Sequence, residues 1–410
     1  MVVYDRLYFM EHLESRITTI IKELRLLHGY TQSFVAQSLH IPLRTYQSWE
    51  KEFSSHIGNL ELLAKLYRIS LIDISHLATM GEQECLNSIQ RWPFESEACL
   101  DAIFNGASAH DLKASFPALV SSDKTLETSV DNLVRDAYFS GKLESRLSCM
   151  KCDTDLEESI AVRFGLMPNA VKVVDTTLVQ FQIVKEMALG MVGSYWLTEM
   201  ASQYDRFSVG VSNGYTIARI MDHLKRGNAT NFQLFPLNFT MTPADFSITA
   251  TSLISSFRYK NEGRCSDSNP ITEPEVYSAM QLADAVVMGI GTFSRKGLYS
   301  NMIQATLGST RLQEIIAGGA VGDLNYYLLD EKGDIIQFPD LVSEMGAVSH
   351  SALIKAIHLD VIKKKANHGC KVIIAAAGAH KASLVSLAIT KRYANHLLID
   401  SSLARVLEGA

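Results

Sequence analysis

Apolar residues near the N-terminus recur at three- and four-residue steps, whereas beyond the middle of the chain they gather in short continuous runs, so two structural regimes share one polypeptide. Ile17, Ile20, Ile21, Leu24 and Leu27 form one stripe of a helix that Gly29 ends. Thr31 is placed to cap a second helix turning Phe34, Val35, Ala36 and Leu39 inward. Ile41 fills the turn, and Pro42 suits the first positions of a third helix whose buried side is Tyr46 and Trp49. Leu60, Leu63, Ala64, Leu66, Tyr67, Leu71, Ile72 and Ile74 complete a helical bundle that needs no strand.

Met80 to Cys152 is also helical in pattern, broken at Trp92-Pro93 and Phe116-Pro117. Ala102 to Leu112, followed by Leu133 to Leu143, repeats the rhythm of helix, turn and helix, and a plain helical connector reads equally well. From Leu156 the pattern alternates between helical segments and apolar runs: Val171–Val174, Phe207–Val211, Phe232–Leu237, Ala285–Ile290, Lys371–Ala377 and Leu397–Ile399. Alternation of this kind predicts a largely parallel sheet covered by helices. The expected protein is multidomain: an all-α helix-turn-helix bundle over 1–80, a helical connector over 81–152, and an α/β domain over 153–410.

Composition adds limits rather than chemistry. With 47% hydrophobic and 20% charged residues, the 410-residue chain has ample material for packed cores. A net charge of -6 excludes a protein that coats nucleic acid through many phosphate contacts, so any DNA binding must be local. Six irregularly spaced cysteines suit a reducing compartment and free thiols. Met1 to Arg6 lacks the basic and apolar pattern of a secretory leader, and no apolar run is long enough for a bilayer, so a cytoplasmic protein with no membrane partner is expected.

The third helix would expose Arg44, Thr45, Gln47 and Ser48 opposite Tyr46 and Trp49. Arg and Gln are the side chains that pair with guanine and adenine edges in the major groove. Gln32, Arg25 and Lys51 are placed to meet phosphates. Glu50 and Glu52 bring opposing charge, which predicts that two heads bind at once. Gly29-Tyr30-Thr31-Gln32, Ala36, Leu39, Ile41 and Trp49-Glu50 make this segment resemble the helix-turn-helix family of phage repressors and Cro, the XRE family. Operator DNA is the partner that the resemblance implies.

In the second half, the run Phe207–Val211 enters Ser212-Asn213-Gly214-Tyr215-Thr216, with a helix expected from Ile217. A strand, glycine turn and helix aims backbone N–H groups at an anion, with Gly214 permitting close approach and Thr216 capping the helix. A structural turn explains those residues equally well. Gly210-Val211-Ser212-Asn213-Gly214 also spells the G-x-S-x-G nucleophile turn, and Asp323 followed by His350, His380 or His396 gives the usual order of a hydrolase. No His-Gly-Gly segment precedes it to build an oxyanion hole, so no catalytic residue is assigned.

Leu156-Glu157-Glu158, Arg163-Phe164-Gly165-Leu166, Gly210 to Thr216, Pro236-Leu237-Asn238, Asp284 to Thr292, Gly319 to Asp323, Gly378 with Lys381, and Leu398-Ile399-Asp400 together resemble the effector domain of SorC-type sugar-responsive regulators. The resemblance implies a Rossmann-like fold related to ribose-phosphate isomerase and a phosphorylated sugar bound at the strand ends. It places an effector on Ser212, Asn213, Gly214, Tyr215, Thr216 and Asn238, on a second strand end at Gly289, Gly291 and Thr292, and on Asp323 for hydroxyls and Lys381 for phosphate. Such regulators often carry Arg where Tyr215 stands here.

Cys149 and Cys152 have the spacing of a metal pair but no companions, and Met187 to Met191 with Trp196 reads as core packing, so no metal and no cofactor are expected. His380 beside Lys381 reads as a loop histidine rather than an acid-base group. The sequence thus predicts a homodimeric or homotetrameric regulator reading operator DNA and a small phosphorylated metabolite. A sugar-phosphate isomerase or deaminase with a DNA-binding head, and a regulator whose α/β domain only assembles subunits, are the alternatives.

Overall fold

The computed structural model describes residues 16–26, 30–51, 98–116, 126–139, 150–224, 231–240, 248–261, 272–294, 297–345 and 352–409, with isolated positions 59, 62, 63, 66, 67, 74, 143 and 147. It divides into two compact units, Met1–Glu144 and Ser145–Ala410.

In the first unit, helical residues 16–26 precede α1 (Gln32–Ser38) and α2 (Leu43–Trp49). Thr31 caps α1 by accepting from the Phe34 amide, as the sequence predicts. Ile17, Ile20, Ile21, Leu24, Val35, Ala36, Tyr46, Trp49, Leu63, Tyr67 and Ile74 form one core. Phe34 departs from the expected inward set: it is 46% exposed, with its ring against Tyr30. Pro42 stands at the N-cap of α2, one place before its expected position. Gly29, Leu27, Leu60, Ala64, Leu71 and Ile72 lie outside the described residues.

The connector holds helical residues 98–104, a turn through Gly106 at φ 90°, α3 (Ala109–Ser115) and α4 (Leu126–Phe139). Ser108 and Asp111 form a reciprocal capping box that starts α3.

The second unit is built on a six-stranded sheet. Its strands are β1 (Val171–Val174), β2 (Phe207–Val211), β3 (Phe232–Pro236), β5 (Ala285–Met288), β12 (Lys371–Ala376) and β13 (His396–Asp400). They lie in the order β1-β13-β12-β5-β2-β3, and every pair is parallel. β2 and β5 are buried at every residue, as apolar runs covered on both faces should be. Small sheets extend the same edge: β4 (Asn238–Thr240) joins β10 (Val342–Glu344) and β11 (Ile354–Ala356), and β6 (Ile290–Thr292) joins β7 (Gly322–Leu324), β8 (Tyr327–Leu329) and β9 (Ile335–Ile336). The run expected as one strand over Ala285–Ile290 therefore divides at Gly289, where the chain leaves one sheet for another.

The helices of this unit are α5 (Thr154–Phe164), α6 (Gln182–Ala201), α7 (Tyr215–His223), α8 (Ala250–Lys260), α9 (Glu273–Gln281), α10 (Leu298–Ala317), α11 (Leu359–Asn367), α12 (Ala382–Thr390) and α13 (Ser401–Gly409). α6 buries Met187, Met191 and Trp196, confirming them as core. Lys151 and Cys152, expected in the connector, pair with the edge of β1 and the residue after it: the Asp175 amide donates to the Lys151 carbonyl, and Cys152 bridges Val174. Backbone pairing ties them to the α/β unit.

Candidate functional site

Two groups of residues carry the chemistry, one in each unit. On the bundle, Arg44, Gln47, Ser48 and Lys51 are exposed and Thr45 is half-buried. Ser48 donates to the Thr45 carbonyl at 2.7 Å, and Gln47 Nε2 donates to Gln32 Oε1 at 3.2 Å. Gln32 in turn donates to Glu50 Oε2 at 2.7 Å, so the two glutamines stand linked across the turn between α1 and α2.

Arg25 is placed otherwise than the sequence suggests. Its guanidinium binds Glu50 twice and donates to the Tyr30 carbonyl at 3.0 Å, which spends most of its donors inside the bundle. Glu50 correspondingly presents no bare charge to phosphate: its side chain is 5% exposed. Burial works to raise its carboxyl, but hydrogen bonds from Arg25, Gln32 and Tyr46 outweigh burial and leave it below the ordinary range. The expected repulsion by Glu50 is thus cancelled within the fold, and Glu52 lies outside the described residues.

In the α/β unit, the chain passes from β2 out to β3 and then back to β5 on the other side of β2. The carboxyl ends of β2 and β5 therefore flank a topological switch point, the place where an open parallel sheet leaves a crevice. Ser212, Asn213 and Gly214 follow β2 there, and Gly289 follows β5, close enough that a side chain at 289 would meet the Asn213 carbonyl at 3.4 Å. Gly214 has φ 129°, a value that a side chain resists, and is the N-cap of α7. The helix starts at Tyr215, not Ile217, so Thr216 lies buried inside its first turn and does not cap it. No side chain caps this helix, which leaves its N-terminal dipole directed at the crevice.

A polar cluster lies behind the loop. Asn238 Nδ2 donates to Asn325 Oδ1 at 2.9 Å and meets Asn213 Oδ1 at 3.4 Å, while Asn213 Nδ2 donates to the Tyr326 hydroxyl. Asp323 pairs with Gly291 across β6 and β7, and its carboxylate occupies the space of the missing side chain: a Cβ on Gly291 would collide with Oδ1. The Tyr326 amide donates to Asp323 Oδ2 at 3.3 Å. Burial raises the Asp323 carboxyl to about 7, against the lowering by that amide and by Lys381, so near neutrality it can donate as well as accept.

Lys381 is half-buried at the start of α12, after Gly378 at φ 101°. Burial lowers its ammonium, and Glu186, Asp323 and Asp400 act against that. Thr292 accepts from Ser294 at 3.2 Å, and Tyr215 is half-buried on the first turn of α7. The structure thus gathers Ser212, Asn213, Asn238, Gly289, Gly291 and Asp323 about the carboxyl ends of the central strands, with Lys381 within electrostatic reach of Asp323.

Three contributors have no site role in the sequence pattern, Asp400 standing there only within the motif Leu398-Ile399-Asp400. Asn325 and Tyr326 form the two-residue turn between β7 and β8 and close the cluster. Asp400, fully buried, accepts from the Gly378 amide at 2.7 Å and pairs with Lys185 at 3.3 Å, which fixes the turn leading to Lys381. An asparagine in a two-residue hairpin loop was the one available signal.

Among the described residues no hydrolase arrangement forms. Ser212 Oγ donates to the Asn213 carbonyl at 3.2 Å, and His396 stands at the opening residue of β13, at the amino end of a strand two places from β5 and three from β2. Burial lowers that imidazole to about 4. The His380 ring packs against Gly378, where a Cβ would lie 2.7 Å from its Cε1. His350 and Cys149 lie outside the described residues, among which no cluster of metal ligands occurs and no helix is long and apolar enough to cross a membrane.

Residues 149–407 match the family model described as "Putative sugar-binding domain", and residues 21–74 match the helix-turn-helix model. Among solved structures, the chain is similar to a probable sor operon regulator from Shigella flexneri, with 19% identity over 62% of this chain and 98% of that one, at a TM-score of 0.47. A transcriptional regulator from Streptococcus pneumoniae is 18% identical over 62% of this chain and 97% of that one, at 0.48. The full-length sorbitol operon regulator SorC from Klebsiella pneumoniae is 14% identical over 78% of this chain and 99% of that one, at 0.48. Among curated proteins nothing matches.

Proposed function

This chain belongs to the sugar-binding-domain family, carries a helix-turn-helix module at its N-terminus, and on that premise we propose that it regulates transcription in response to a phosphorylated sugar. The exposed Arg44, Gln47 and Ser48 on α2 read operator base edges, with Thr45 and Lys51 at the backbone. Gln32 holds Gln47 at the α1–α2 turn. One short recognition helix gives modest affinity, so a homodimer or homotetramer presents two heads to one operator. It acts in the compartment that holds the DNA, the cytoplasm.

The observation that carries the effector reading is the meeting, at the β2/β5 switch point, of an uncapped helix N-terminus behind Ser212-Asn213-Gly214 with Asp323 and Lys381. Dipole and ammonium suit a phosphate, and a carboxyl poised near neutrality suits hydroxyls. Tyr215, Thr216, Asn238, Gly289, Gly291 and Thr292 shape the same crevice. The chemistry proposed for this crevice is binding, with the Ser212 hydroxyl turned to the Asn213 carbonyl. Effector occupancy shifts operator affinity by the ligand's differential affinity for two states of the assembly.

Thermal shift against a panel of sugar phosphates tests the site: stabilisation is expected for the intact chain and is lost in Lys381→Ala and Thr216→Val. Stabilisation that survives both changes sinks the assignment of the crevice.

A further inference from the structure

We propose that Tyr326 is a tethered occupant of the effector crevice, holding at Asn213 the place that a ligand oxygen takes, and so determining which ligands enter. The inference rests on the effector reading above and deepens it.

β7 and β8 are joined by Asn325 at φ 48° and Tyr326 at φ 70°, with Leu324 and Tyr327 paired across the turn. Two successive left-handed residues make the type of hairpin turn whose second position suits glycine, and an aromatic residue there is strained. Strain of this kind persists only where the surroundings hold it. Here the Tyr326 amide is held by Asp323, its ring stands edge-on to Tyr299 with centroids 4.9 Å apart, and its hydroxyl accepts from Asn213. The phenol is 3% exposed.

The consequence is a closed site. Ser212, Asn213, Thr216, Asn238, Thr292 and Asp323 are all buried. The closure is nonetheless incomplete in its polar pairing: Asn238 Oδ1, an acceptor, and the Tyr299 hydroxyl are buried with no hydrogen-bond partner. Asn238 bonds to Asn325 and Tyr299 packs on Tyr326, so both unpaired atoms border the strained turn. Buried polar atoms without partners call for an explanation, and a group not supplied by the chain is the one that this proposal gives. A ligand fitting there gives Asn213 Nδ2 an oxygen in place of the phenol and gives Asn238 Oδ1 a hydroxyl donor. That describes a small sugar phosphate with a free hydroxyl remote from its phosphate.

Isothermal titration of the full chain with ribose 5-phosphate, glucose 6-phosphate and fructose 6-phosphate tests the proposal in wild type, Tyr326→Gly and Tyr326→Asn, with circular dichroism confirming the fold. Both substitutions fit a positive φ and remove the phenol. At least one sugar phosphate is expected to bind both variants about tenfold or more tightly than wild type, an increase set by removal of a competing internal state. Equal affinity in all three proteins, or weaker binding by the variants, overturns the occupant while leaving the crevice standing. Saturable binding by none of them overturns both readings together. For wild type alone, millimolar sugar phosphate is expected to speed hydrogen exchange at the Asn325 and Tyr326 amides as the turn is displaced, and unchanged exchange in the saturated protein counts against displacement.

Discussion

Arg25 and Glu50 are joined by two hydrogen bonds, Nε to Oε1 at 2.5 Å and Nη2 to Oε2 at 3.1 Å, spanning the helix at 16–26 and the end of α2. The pair fixes the end of α2 against the bundle, with Gln32 as a third member. Removing one partner leaves a largely buried charge alone, so Arg25→Ala is expected to cost about 2–4 kcal/mol of bundle stability in urea denaturation. The Glu50 carboxyl is depressed in the folded state, so its contribution is present above the unfolded carboxylate range and is lost as pH falls through the lower folded value. Denaturation curves for Glu50→Gln should accordingly lose this acid-side decline.

On the exposed side of α2, Gln47→Ala and Arg44→Ala are each expected to weaken operator binding by about 1–3 kcal/mol. Fluorescence anisotropy against selected operator fragments at fixed salt measures it. Unchanged affinity in both would remove α2 from the interface.

Asp323 carries a pH signature of the opposite sense. Its folded carboxyl, raised to about 7, holds a proton that the unfolded chain releases near its ordinary value of about 3.9. The α/β unit should therefore lose stability as pH rises through that interval, with the loss complete above neutrality. Asp323→Asn should flatten the slope in thermal melts recorded between those limits. An unaltered slope would show that another group titrates.

Gly291→Ala tests the close approach at the crevice floor. A Cβ there collides with Asp323 Oδ1, so the carboxylate must move or the hairpin must shift. A destabilisation of about 1–3 kcal/mol is expected from overpacking, together with weakened sugar-phosphate binding. Calorimetry of the variant reads both effects, and native values for both would place the carboxylate elsewhere.

Much of the architecture was legible because local pattern and burial agree. β1 and β2 have the residues read from their apolar runs, since strands covered on both faces leave continuous hydrophobic stretches. Thr31 was legible as a cap because its hydroxyl acts on an amide three residues away. Phe34 faces solvent rather than the core, and helical spacing alone does not say where the apolar stripe ends. Thr216 lies inside the helix rather than at its cap because Gly214, two residues earlier, is already the N-cap.

What the chain determined alone was its sequence of elements, its helix-turn-helix module and the glycines that let backbone approach backbone, because those depend on neighbours along the chain. Tertiary structure decided what those residues meet. Arg25, read as a phosphate contact, is bound to Glu50 because folding brings together residues 25 positions apart. Tyr326 reaches Asn213 across 113 positions, and Asp323 faces Gly291 only through the pairing of β6 and β7. Such contacts depend on how the sheet orders its strands, and a charge or a phenol takes its role from the partner that this order supplies.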